Sequence, residues 1–256
     1  MLSRSVAVFG GLNALGLAVS LYNSQEHRHI DILGTGAFVV AALAVNRGRT
    51  SSLHHQLSTL AVAAWGTRLA GFLGYRAFQT GHDARLGEIL DEPASAAGFW
   101  AISMMWGVGV SLPHVLGSAA QKVPRFNLFS ALAVGLFCAG MALETLADYQ
   151  KWEFKAAGHR SFCDVGVWSA SQHPNYAGNL MAWTGLYLLN FPLMSPTSRV
   201  VAAVTCPIFL VALFYGQSTG AIANTLQLAD SKYGGDEKYL AYKAGTPLIF
   251  PGIPGA

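Results

Sequence analysis

Charge is what this sequence has least of. Asp, Glu, Lys and Arg make up 11% of its 256 residues, where a soluble domain carries roughly a quarter. So small a polar fraction excludes an intrinsically disordered chain. The charges are also scattered: the net charge is +3 and no basic block occurs, so nucleic acid is not an expected partner. Cysteine is nearly missing too. Cys138 and Cys206 fall inside apolar runs and Cys163 stands alone in a loop, which excludes a disulfide framework and fits a reducing compartment. There is no HExxH or CxxC, and the histidines show no ligand spacing, His54–His55 reading as a loop pair. No metal is expected. Neither standard Gly-rich phosphate loop is present.

What the chain does have is apolar length. It is 52% hydrophobic with 28 glycines, and seven segments approach the roughly 20 residues that a bilayer crossing needs. They are 6–22, 31–45, 57–75, 94–116, 126–146, 176–194 and 200–222. The expectation is an all-α, polytopic helical membrane bundle of six to seven transmembrane helices, a single integral membrane domain over 1–256. Segment two is short. Segment three contains Arg68, which either snorkels along its helix or faces the bundle to hold an anion. The first segment follows Arg4 as a signal sequence would. Gln25, Glu26 and His27 stand where a small-residue cleavage site would be, so it reads as a retained span.

Alternation puts the 76–93 loop, the 147–175 loop and the C-terminal tail on one face. Outside the spans that face holds nine Lys and Arg against six on the other, which makes it cytoplasmic or the organellar equivalent. Nothing in the sequence favours the endoplasmic reticulum over another organelle.

The polar residues collect on this same face. In "LETLADYQKWEFK", Glu144, Asp148, Lys151 and Lys155 form one helical stripe leaving the fifth segment. Alone this reads as a solvated row of ion pairs, except that Glu144 falls at the end of a span, where an acid has a partner or a task. In "SQHPNYAGN", Pro174 suits a helix start and Asn175 suits a cap for a span beginning near Tyr176. Capping leaves His173, Tyr176, Asn179 and the nearby Trp168 unexplained. Polar side chains beside helix N–H groups also make a seat for an anion. The tail carries Tyr233, Tyr239 and Tyr242 with Lys232, Lys238 and Lys243, by itself the composition of an interfacial anchor.

With these motifs in view, "LADYQKWEFK", "GVWSASQHPNYAGN" and "KYGGDEKYLAYKAGTPLIFP" resemble the multi-span membrane proteins related to the steroid 5α-reductase C-terminal domain, and more closely their uncharacterised branch. The similarity runs from about Trp65 to Pro251. The "HPNY" core is shared with sterol reductases and, more loosely, with isoprenylcysteine and phospholipid methyltransferases. The resemblance implies a role in lipid metabolism: NADPH-dependent reduction of a C=C bond in a steroid or other lipid enone. It places Asp148, Lys151, Lys155, Trp168, His173, Asn175, Tyr176, Asn179, Asn224, Tyr233 and Tyr242 around the cofactor. No catalytic residue is singled out.

The sequence departs from the branch at five positions. Gln172 stands for the usual Arg, Asn179 for Glu, and Leu226, Gln227 and Leu228 for a charged run. A charge-assisted contact contributes on the order of 1.5–3 kcal/mol, so losing two or three would weaken NADPH binding heavily. An alternative reading is therefore a catalytically inactive descendant, a structural or lipid-holding subunit packed against other membrane subunits. The "GQSTGAIA" stretch, with Gly216 and Gly220, would be its packing ridge. A third reading is a lipid or prenyl-protein methyltransferase on the same bundle.

Overall fold

Each of the seven apolar runs is helical in the computed structural model, which describes residues 1–24, 27–47, 52–80, 89–222 and 225–250. Among these the architecture is all-α. The helices are α1 (Leu2–Tyr22), α2 (Arg28–Asn46), α3 (Leu53–Thr80), α4 (Pro93–Ser118), α5 (Leu128–Ala156), α6 (Pro174–Asn190), α7 (Pro196–Ser218), α8 (Thr225–Tyr233) and α9 (Glu237–Gly245). Their starts follow from local chemistry. Proline opens α4, α6 and α7, where its missing N–H costs nothing. Glu92 caps α4 by accepting from Ala94 and Ser95 N–H at 3.1 and 2.6 Å, and Asp236 caps α9 at Lys238 N–H. Within α7, Pro207 falls in a π-helical turn over Val204–Ile208, the wider ladder accommodating its lost donor.

Among the described residues, five helices are long and apolar enough to cross a membrane: α1, α2, α4, α5 and α7. The expected six to seven is not reached, for two reasons. Helix α3 has 28 residues, but His54, His55, Gln56 and Arg68 dilute its apolarity. Helix α6 has 17 residues, short of the roughly 20 for a full crossing. His54 and His55 are not a loop pair but lie buried in the first turn of α3.

The chain divides into two compact units. The first comprises Met1–Ser130 and Leu186–Cys206. Its core is aromatic: Phe38 meets Phe9 and Trp65 edge-on at centroid distances of 5.0 and 5.1 Å. A buried polar cluster accompanies it. Ser58 Oγ lies 2.8 Å from His114 Nδ1 and accepts from Asn190 Nδ2 at 2.9 Å, all three residues being buried. Arg68 is half-buried, its guanidinium 5.8 Å from the Phe72 ring centre.

The second unit comprises Ala131–Gly185 and Pro207–Ala256. Here α5 and α6 meet backbone to backbone. A Cβ on Gly140 would stand 2.4 Å from Ala182 N, one on Gly178 2.4 Å from Glu144 N, and one on Gly185 2.5 Å from Phe137 N. Such contact is how small residues bind helices where lipid removes the hydrophobic drive. The expected ridge at Gly216 and Gly220 is not one. Gly220 lies beyond α7 in a turn with φ of 76°, and the face of Gly216 is filled by Ile222 of the same chain.

Candidate functional site

In the second unit, α5 runs past its apolar part to Ala156, carrying Lys151 and Lys155 one turn apart. The chain then returns through a 3₁₀ turn, Gly166–Ser169, seated on the same helix. Gly166 has φ of 57°, and a Cβ there would strike the Gln150 side chain. That side chain accepts from Val167 N–H at 2.9 Å, and Trp168 Nε1–H donates to Ala147 C=O at 2.9 Å. The indole is thereby fixed, and Lys151 Nζ sits 4.4 Å from its ring centre, a cation–π contact.

Helix α6 begins beside it. His173 C=O accepts from Tyr176 and Ala177 N–H at 3.1 and 3.2 Å, so His173 occupies the cap position and Asn175, the expected cap, lies in the first turn. Tyr176 is sandwiched between His173 and Phe214, at 4.9 and 4.4 Å and nearly parallel to both. Asn175 Oδ1 is buried with no hydrogen-bond partner among the described residues.

The tail is strapped onto this segment. Gln172 N–H donates to Pro247 C=O at 2.9 Å, and its Nε2 donates to Lys243 and Thr246 C=O at 3.0 and 2.6 Å. Ser171 Oγ donates to Ile249 C=O, and Tyr242 Oη donates to Trp168 C=O, at 2.7 and 2.6 Å. Asp230 joins α8 to α9, accepting from Lys243 Nζ and Tyr239 Oη at 2.8 Å each. Tyr239 is buried.

These elements enclose a cavity of about 340 Å³, within the range of small-ligand sites. Of the expected residues, Lys151, Lys155, Trp168, His173, Asn175, Tyr176, Tyr233 and Tyr242 line it. Asp148 is half-buried on α5 but does not line it. Asn179 is buried deeper, its Nδ2 donating to Glu144 Oε1 at 3.3 Å. Asn224 lies outside the described residues. Phe162, Cys163 and Gln217 also line the cavity and carry no signal in the sequence, since each is a single residue in an unpatterned stretch.

Burial, and then the Lys151 charge, lower the His173 pKa to about 4, so the imidazole is neutral near pH 7. Burial raises the Cys163 thiol and the Tyr242 phenol. Burial also raises Tyr239, with Asp230 adding to it. Tyr233 goes the other way. Burial pushes its phenol up, but hydrogen bonds from Lys155 and Lys232 and their charges together outweigh that and lower it. The cavity thus combines two ammonium groups, flat aromatic walls and an unmet amide oxygen. That combination complements a planar, amide-bearing, anionic molecule.

The fold and this cavity define a multi-helix integral membrane protein with a polar, aromatic-walled cavity among the described residues of its second unit. The chain belongs to the family described as protein of unknown function (DUF1295), matched over residues 18–246. No curated protein and no solved structure matches it.

Proposed function

We propose that the protein is a membrane-embedded reductase that takes NADPH into this cavity by its nicotinamide end and reduces a C=C bond of a steroid or other lipid enone. One observation carries the reading: Asn175 Oδ1 is buried without a donor. An unmet buried acceptor costs roughly 1–3 kcal/mol, and the nicotinamide carboxamide offers the N–H that would satisfy it. Trp168 would lie against the ring, and Lys151 would face the phosphates. Bound NADPH supplies a hydride; the chain orients the reactants and excludes water.

The inactive-subunit reading draws support from Leu226, an apolar residue lining the cavity where the resembling proteins are charged. Its packing ridge is gone, because Gly216 and Gly220 face the chain's own residues. The test is NADPH fluorescence on the purified full chain in nanodiscs. Asn175→Ala and Lys151→Ala are each expected to raise Kd by roughly tenfold, about 1.4 kcal/mol. No binding by the parent at millimolar NADPH would sink the reductase reading and leave the subunit reading standing.

A further inference from the structure

Four tyrosines line the cavity, and two donate their hydroxyls to protein acceptors. Tyr239 Oη donates to Asp230, Tyr242 Oη donates to Trp168 C=O, and the Tyr176 ring is held between His173 and Phe214. Tyr233 is the reverse case. Its Oη accepts from Lys155 Nζ at 3.2 Å and donates to no acceptor among the described residues. Its own O–H is therefore left for a molecule in the cavity. Lys155 is aimed: its Nζ also donates to Ser161 C=O at 2.5 Å, and no carboxylate among the described residues forms an ion pair with it. Lys232, on the same helix as Tyr233, lies 5.2 Å from its ring centre. The Tyr239 ring of α9, a neutral phenol, lies 5.7 Å from that of Tyr233.

We infer that Tyr233 is the proton donor of this site and Lys155 the positioning residue that aims its hydroxyl and stabilises the phenolate left behind. The inference rests on the reductase reading. Reducing an enone adds a hydride at the β-carbon and a proton at the α-carbon. Were NADPH bound there, its dihydronicotinamide C–H bond would break to give the hydride and leave NADP+, and as the new C–H bond formed the C=C electron pair would shift toward the carbonyl, giving the substrate's enolate. The Tyr233 O–H bond then breaks, its proton forms the C–H bond at the α-carbon, and its electron pair stays on the phenolate oxygen facing the Lys155 ammonium. A proton from water restores the phenol. Substrate gains two electrons and two hydrogens in all, and the tyrosine ends unchanged.

The experiment has two readouts on the full chain in nanodiscs. Ultraviolet titration of tyrosinate, without cofactor, should show one step below the other tyrosines. That step should vanish in Tyr233→Phe, move up in Lys155→Met and stay in Lys155→Arg. With NADPH and progesterone as the probe enone, Tyr233→Phe should still bind NADPH and lose about 10²–10⁴-fold in turnover. A low tyrosinate step that persists in Tyr233→Phe overturns the proposal. So does parental turnover in Tyr233→Phe, or NADPH binding without reduction of progesterone; in both cases the cofactor reading survives. A parent that binds no NADPH removes the reading and the proposal together.

Discussion

Replacing Gly178 with alanine tests whether the α5–α6 contact sets the site. The new Cβ would stand 2.4 Å from Glu144 N and 2.7 Å from Gly140 O, both backbone atoms that no rotamer change can move. Ordinary contact begins at 3.4 Å, so the shortfall is 3.4 − 2.4 = 1.0 Å, and the helices must part by that much. Overpacking of this kind costs roughly 1–3 kcal/mol, against which alanine's better helix propensity recovers at most about 1 kcal/mol. Gly135→Ala on the same α5 is the control, since nothing lies within 4 Å of its Cβ. It should be neutral or stabilising. Melting followed by a thiol-reactive dye suits this chain, because Cys163 and Cys206 are buried and Cys138, already exposed, gives the baseline. At about 2–4 °C per kcal/mol, Gly178→Ala should melt several degrees below the parent. Asn175 lies just before Gly178 on α6 and Lys151 two turns beyond Glu144 on α5, so NADPH affinity should fall with it. If Gly178→Ala melts at or above the parent, or shifts as Gly135→Ala does, close backbone contact is not what holds these helices.

The depressed His173 pKa implies an acid-side loss of stability. The folded value of about 4 lies below the ordinary 6.5, so the unfolded chain binds the proton more readily. The stabilisation is full above about pH 6.5 and is lost as pH falls to 4; (6.5 − 4) × 1.36 sets it at about 3 kcal/mol. Melting temperature against pH should fall more steeply in the parent than in His173→Gln over that window, and equal slopes would refute it. In the first unit, Ser58→Ala leaves His114 Nδ1 and Asn190 Nδ2 without the hydroxyl they share, at a cost of about 1–2 kcal/mol. Adding Asn190→Leu removes one of the two groups that lose this hydroxyl, Asn190 Nδ2 otherwise keeping its bond to Leu186 C=O, so the pair should cost less than the sum, and strict additivity in the same melts would count against a shared network.

The fold was legible because a membrane chain must make its backbone hydrogen bonds within helices, so long apolar runs leave little choice. The count of crossings was less legible, because α3 and α6 are helices of intermediate apolarity or length. Much of the site was visible for a related reason: Lys151, Lys155, His173 and Asn175 are polar groups in a chain that has few. Position along a helix, however, decided what the motif could not. Asn179 follows Asn175 by four residues, about 6 Å along α6, and at that depth it meets Glu144 instead of the cavity. The packing glycines were hidden because Gly140 and Gly178 belong to different helices, and only the partner shows that a side chain has no room.

The departures from the resembling proteins acquire individual reasons. Gln172 spends its amide on the Lys243 and Thr246 carbonyls and so holds the tail over the cavity. Asn179 donates to a buried carboxylate, where a second acid would set two negative charges together out of water. Gln227 Nε2 donates to Gly220 C=O, bracing the positive-φ turn after α7. All three make structural ties, and Gln172 also lines the cavity. What is lost falls on Leu226, which lines the cavity, and Leu228, which is 45% exposed. Lys243 does not make up for them, since Asp230 holds it at 2.8 Å. On the proposed reading, cofactor recognition therefore shifts from phosphate charge toward the ring and amide: the Trp168 ring, the Asn175 oxygen, and Lys151 from α5.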